Sequence, residues 1–440
     1  MSITSSIATR LAADLPDGRV LGGADFERQR RVWNGAVDHV PAVIVRPQTA
    51  VEVADTVRVA RRHELAISVR GGGHDFAGRA IRPGGLVIDL ADMRGVEIRG
   101  DTARVGGGAV ADDLLGAAAV HGRCAAVGSV GSVGVVGLVL GGGYGPLIGV
   151  AGMGVDNLLS ARVVLGDGSI VDTDTERELE LFWALRGGGG NFGVVVEIEV
   201  RLHPISEVTA GAVAFGWPQA RRVLRGLADV YRDIADAFDV VFSAMRTPDG
   251  PVVFTSPVWA GPQDVAEAHI HRVRNLGVPV LDDVSRRRIA DMARIASETF
   301  PAGANYWAGA RIVPEINEAF IDAFIASVDS MPAQCVVIVH HAHGAATRIP
   351  VSATSFAHRE PHLVVEILGM WTAGDGRTER DWLERTLRRL DDIALPGGWA
   401  NLMAPDDSRA RDAYRTNRSR LLEAKRRYDP EHIFDAIPLP

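Results

Sequence analysis

Val69-Arg70-Gly71-Gly72-Gly73-His74-Asp75-Phe76-Ala77-Gly78 decides how the rest of the chain is read. It follows the apolar run Ala66-Ile67-Ser68-Val69, which reads as a strand, so three glycines stand where that strand ends. Glycine lets the backbone turn sharply and come close to a ligand, offering bare N–H groups to phosphate-like oxygens. A histidine directly after such a cradle stands beside whatever the cradle holds. Taken alone, a turn ending in a surface histidine explains the string equally well. Two further glycine clusters, at 128–145 and 186–193, are what a mere turn does not require.

The third cluster contains a formal G-x-G-x-x-G at Gly188, Gly190 and Gly193. A Rossmann fingerprint needs a strand before it and a helix after it. Here a helix is expected over 176–185 and an alternating strand over 194–202, the reverse order, so the Rossmann reading fails. No G-x-x-x-x-G-K-[ST] occurs, which excludes a P-loop ATPase. Three glycine-rich segments spread over roughly 120 residues suit one long, phosphate-bearing cofactor lying along many backbone turns.

Outward from the clusters, residues 42–202 alternate short strands with helices. Val43-Ile44-Val45 reads as a strand. Thr49-Ala50-Val51-Glu52 reads as a capping box opening a helix to about Arg62, with Val53, Val57 and Ala60 on one face. Strands are expected at 85–90 and 103–105, a helix near 110–121, and a hairpin around Gly166-Asp167-Gly168. From about Ser206 glycine thins out. Amphipathic helices near 218–237, 263–275 and 377–393 alternate with extended runs at 252–254, 335–340 and 362–368, which suits an antiparallel sheet with helices on one face. The expected fold is α+β: a cofactor domain over 1–205, a substrate domain over 206–400, and a segment over 401–440 returning to the first.

Composition narrows the partners. Forty-seven basic against 55 acidic side chains leave a net charge of −8, with no basic tract, so nucleic acid is not an expected partner. No run of 18 apolar residues exists and no membrane partner is expected. Residues 1–15 show no signal-peptide core. With only two cysteines, Cys124 and Cys335, this points to a reducing cytoplasm. A monomer or homodimer is expected.

Arg70 to His74, the 134–145 segment, Gly154-Val155-Asp156-Asn157, the run from Glu180 to Arg186 into Asn191-Phe192-Gly193, and the closing Asn417-Arg418-Ser419-Arg420-Leu421 with Tyr428-Asp429-Pro430 fall in one order. In that order they resemble the vanillyl-alcohol oxidase superfamily, with its PCMH-type FAD-binding domain, and within it the berberine-bridge-enzyme-like branch. The resemblance implies FAD as cofactor, carried by His74 through the flavin 8α carbon. It assigns cofactor contacts to Arg70, Gly71, Gly72, Gly73 and Gly78 in the first cluster. In the second it assigns Val130, Val133, Gly134, Gly137, Gly141, Gly142, Gly143 and Tyr144. Asp156, Asn157, Asn191, Gly193, Val194, Val195 and Asn417 complete the set. Many relatives add a second flavin bond from a cysteine eleven residues before the triple glycine. That position is Val130 here, so a single covalent bond is expected, and Cys124 reads as a small buried side chain. Three residues further on, Val133 occupies the position that in relatives borders the space where oxygen reacts.

For the substrate side, Tyr306, His341, His343 and Glu366 are the candidate catalytic residues. Each is a titratable group set in or beside an apolar run. With period 2, His341 and His343 share a face with Val337 and Val339, while His340 faces the other way. A glutamate within Val364-Val365-Glu366-Ile367 is costly to bury charged and unpaired, so it either serves function or points to solvent. His-x-His spacing invites a metal reading, but no third ligand is evident and none is expected. The expected reaction is removal of a hydride from a C–H next to O or N of a small molecule, with O2 reduced to peroxide. The alternatives are a dehydrogenase or cyclising tailoring enzyme, and a flavin-bearing protein that sequesters a drug-like compound.

Overall fold

In the computed structural model, which describes residues 11, 14–16, 18–404 and 407–440, the runs flanking the first glycine cluster form a parallel sheet. Its strands are β1 (Val43–Val45), β2 (Ile67–Arg70) and β3 (Leu86–Asp89), ordered β1-β3-β2. Parallel strands need crossover connections, and the helix Ala50–Arg62 carries the chain from β1 to β2 on the far side of β3. Thr49 caps that helix by accepting the Glu52 amide, and Val53, Val57 and Ala60 are buried, as the capping pattern predicts. Residues 1–10, part of the stretch read for a signal peptide, lie outside the described residues.

The second sheet is antiparallel: β4 (Val96–Arg99), β5 (Thr102–Gly106), β6 (Cys124–Ala125), β7 (Leu158–Val164), β8 (Ile170–Thr173) and β9 (Val194–His203). Its order is β4-β5-β9-β7-β8, with β6 also on β9. The alternating strand read at 194–202 is therefore the middle of this sheet, and β7 and β8 form the expected hairpin with Val164 opposite Ile170.

The third sheet holds nine strands: β10 (Val208–Ala210), β11 (Val213–Gly216), β12 (Phe238–Thr247), β13 (Gly250–Trp259), β14 (Pro279–Asp282), β15 (Ser285–Arg287), β16 (Asn305–Val313), β17 (Val336–Ala342) and β18 (His362–Trp371). Its main path runs β14-β11-β13-β12-β17-β18-β16. Helices Ala220–Arg232, Ala266–Arg274, Glu318–Asp329 and Arg377–Asp391 pack on one face. Val223, Ile270, Phe320 and Trp382 meet Val240, Val337, Val339 and Val365 there in one apolar core. The helix Ile289–Thr299, unanticipated from sequence, lies instead against the helix Ala111–Val120 of the glycine-rich half. The final helix, Arg418–Tyr428, also returns to that half. Arg420 pairs with Glu180 at 2.8 Å, and Lys425 Nζ donates to the Asn191 carbonyl at 2.7 Å. Among the described residues no helix is long and apolar enough to cross a membrane.

Candidate active site

The face of the third sheet opposite its helices looks across a cavity of about 740 Å³ to the glycine clusters. Two of those clusters meet backbone to backbone. A Cβ at Gly72 would collide with the Gly134 amide nitrogen, and one at Gly134 would stand 2.6 Å from the Gly72 nitrogen. Gly73 at φ +66° and Gly143 at φ +76° hold turns that side-chain-bearing residues rarely adopt. Among the described residues the amides of Gly72, Gly73 and His74 find no backbone carbonyl partner. Free amides on a wall without side chains fit a long phosphate-bearing cofactor.

Of the residues expected at the cofactor, Gly71, Gly72, Gly73, His74, Val130, Val133, Gly134, Gly137, Gly143, Tyr144, Gly193 and Val195 line this cavity. The others stand behind the lining and hold it. Arg70 pairs with Asp89 at 3.2 Å, and Gly78 packs on Val37. Gly141 abuts Asn401, and Gly142 abuts Trp399. Asp156 forms a buried ion pair with Arg359 at 2.8 Å. Asn157 donates to the carbonyls of Ala151 and Met153, Asn191 to those of Gly188 and Ile437, and Asn417 to those of Val351 and Thr354. Val194 belongs to the apolar core beneath the parallel sheet.

His74 has its Nε2 at 3.1 Å from Ser132 Oγ and its ring stacked on Trp33. Burial lowers its pKa from 6.5 to about 4, so the imidazole is neutral at physiological pH. Cys124 is buried in β6, and burial raises its thiol to about 12, which makes it an inert structural cysteine.

The sheet wall departs from expectation in a way that register explains. Ile338 of β17 lies opposite Ser243 of β12 on one side and Glu366 of β18 on the other, so all three share the cavity face. Asp239, Ser243 and Met245 alternate along β12 into the cavity, and Ser256 joins them from β13. Among the described residues the Glu366 carboxyl has no hydrogen-bond or ion-pair partner, and desolvation pushes its pKa up from 4.5 to about 7. His340 lines the same wall beside Tyr144, and burial lowers its pKa to about 4.

His341 and His343 do not line the cavity. His341 stacks on Tyr231 on the helix side at 4.2 Å, and His343 stacks on His341 with its Nε2 at 3.8 Å from Asp239. The reason is parity: Val337 and Val339, which share the His341 face, belong to the core under the helices. Tyr306 is 1% exposed, sandwiched against Trp33 at 3.9 Å, with its hydroxyl spent on the Pro301 carbonyl. Of the four catalytic candidates only Glu366 reaches the cavity. Asp239 and Ser243 were missed. Their i, i+4 polar spacing in an otherwise apolar strand was the available signal.

A family model described as an FAD binding domain matches residues 41–174, the segment carrying the first two glycine clusters. The chain is 30% identical over 460 residues to the (R)-6-hydroxynicotine oxidase of Paenarthrobacter nicotinovorans, covering 98% of each protein. The crystal structure of 6-hydroxy-D-nicotine oxidase from Arthrobacter nicotinovorans superposes with a TM-score of 0.87 at 29% identity, covering 96% of this chain and 97% of that one. A berberine bridge enzyme structure shares the fold, with a TM-score of 0.85 at 20% identity over 99% of both chains.

Proposed function

The chain belongs to the vanillyl-alcohol oxidase superfamily, in its berberine-bridge-enzyme-like branch of FAD-linked oxidoreductases, and from that premise we propose that it is an oxidase. Its substrate is a small molecule oxidised at a C–H next to O or N, and hydrogen peroxide is the second product. When bound, FAD supplies the hydride acceptor and the route for electrons to dioxygen.

The observation that carries this reading is Glu366: a carboxyl without a partner among the described residues, on the cavity wall facing the cradle, with its pKa near 7. A general base works best when its pKa lies near the operating pH. Glu366 takes the O–H or N–H proton of the substrate as the hydride departs, and the donor atom is thereby kept from accumulating positive charge. Val241, Met245, Ile338 and Leu368 around it exclude water from the reacting face. His340, neutral at the reaction pH, is available as a hydrogen-bonding group rather than a charge.

On the opposite wall, the neutral His74 keeps a lone pair for a single bond to the flavin 8α carbon, and Val130 offers no thiol for a second. The chain divides, in this reading, into a cofactor part over 1–205, a substrate part over 206–400 and a returning segment over 401–440.

A peroxide-coupled screen of amines, sugars and polyketide-like alcohols tests the proposal. The expected result is steady peroxide release, one equivalent per substrate consumed. A substrate that reduces the enzyme anaerobically but leaves it reduced in air makes it a dehydrogenase. Tight binding of compounds without turnover makes it a sequestering protein.

A further inference from the structure

His74 is gripped from two sides by residues that neither the sequence motifs nor the proposed chemistry uses. Its Nε2 lies 3.1 Å from Ser132 Oγ, and its ring lies on Trp33 with centroids 4.3 Å apart and planes 21° apart. Both grips are anchored in the later part of the chain. The Ser132 amide donates to Ser297 Oγ at 3.2 Å, and the Gly131 amide to the Ala293 carbonyl at 3.1 Å, both on the helix Ile289–Thr299. Trp33 stacks by its other face on Tyr306, 3.9 Å away, and its Nε1 donates to the Phe300 carbonyl at 3.0 Å. The Trp33 amide in turn donates to the Gly73 carbonyl at 2.9 Å, next to the histidine itself.

We infer that Ser132 and Trp33 are positioning residues for flavin attachment: Ser132 holds the imidazole proton on Nε2, and Trp33 fixes the plane of the ring, so that the Nδ1 lone pair is the one presented. The inference rests on the His74 link proposed above. With Nε2–H donating to Ser132 Oγ across that 3.1 Å contact, the neutral imidazole is a nucleophile at Nδ1. In the attachment a bond forms between Nδ1 and the 8α carbon, and one C–H bond of that methyl group breaks. The methyl proton, the Nε2 proton and the two electrons released are taken by dioxygen as hydrogen peroxide, which balances the step. Because both grips are anchored on residues 293–306, attachment follows docking of that segment against the glycine cradle.

The test is a time course of covalent incorporation. Full-length apoprotein is mixed with FAD, samples are denatured, and in-gel flavin fluorescence and the mass of the tryptic peptide 71–79 are read. NMR of that flavopeptide identifies the alkylated nitrogen. Wild type is expected to carry flavin on Nδ1. Ser132→Ala should bind FAD non-covalently as wild type does yet attach it about tenfold more slowly, the scale of one lost hydrogen bond, with a mixture of alkylated nitrogens. Ser132→Thr, which keeps the hydroxyl, should restore rate and regiochemistry, and Trp33→Phe should fall between. A wild-type peptide without flavin overturns the link and this inference together. A Ser132→Ala protein that attaches at the wild-type rate on the same nitrogen overturns the inference and leaves the link standing.

Discussion

Replacing Glu366 by glutamine keeps the shape of the cavity wall and removes the one carboxyl there whose pKa is raised to about 7. If that carboxylate takes the substrate proton, flavin reduction by a saturating substrate should rise with pH to a plateau, with an apparent pKa near 7. At pH 6 about a tenth of the plateau rate should remain. Glu366→Gln should flatten the profile and lower the plateau by about 10² to 10⁴, the range for a lost general base. Anaerobic stopped-flow, following loss of flavin absorbance from pH 5.5 to 8.5, measures both effects. The same shift makes an independent statement about stability. A carboxyl whose folded pKa lies above its unfolded value costs nothing below about pH 4.5, and its penalty grows until it is complete above about pH 7. The rise from 4.5 to about 7 corresponds to at most about 3 kcal/mol, or about 3 °C in Tm for a chain of this length. Glu366→Gln should therefore melt at a higher temperature than wild type at pH 8 and at the same temperature at pH 4.5. A rate that does not vary from pH 5.5 to 8.5, or a glutamine variant within tenfold of wild type, refutes Glu366 as the base.

Val133 lines the cavity on the cofactor side, and Val133→Leu should slow reoxidation by air while sparing reduction, which double-mixing stopped-flow separates. Gly72→Ala drives a methyl group into the Gly134 backbone, where nothing flexible can yield, so the purified variant should lack the flavin absorbance of wild type. His341→Leu removes a ring that stacks on Tyr231 away from the cavity, and it should leave the flavin-reduction rate within about threefold, well short of a lost base.

Much of the glycine-rich half was legible because its constraints are local. Strand, triple glycine and histidine follow one another in the chain, the helix Ala50–Arg62 begins at its expected cap, and β7 and β8 turn at their expected glycines. The contacts of Asn191 and Asn417 were not legible in the same way. Each is a buried amide with a partner in a distant segment, Ile437 for one and Val351 for the other, and spacing in the sequence carries no sign of that contact. The strap from Trp33 to Gly35 is a similar case. It binds Gly73 and Phe76 on one side and Gly303 to Tyr306 on the other, through contacts some 270 positions away.

The histidines of β17 show where a period-2 reading stops. Alternation correctly separates His340 from His341 and His343, but it does not say which set looks at the cofactor. In a strand with one wet face, polarity answers that question. β17 lies inside the third sheet with helices on one side and the cavity on the other, so valine and isoleucine occupy both faces and the hydropathy contrast is gone. What remains is register. Glu366 is the one acidic residue of β18, and a carboxyl in that strand can be tolerated on the cavity side but not under the helices, where Val365 and Ile367 are fully packed. Antiparallel pairing sets Ile338 opposite Glu366, which puts His340, two residues along β17, on the carboxylate's face and turns His341 away. A single acidic position thus identifies the cavity face of the sheet: in register with Glu366 stand His340, then Ser243 across Ile338, then Asp239 four residues back along β12.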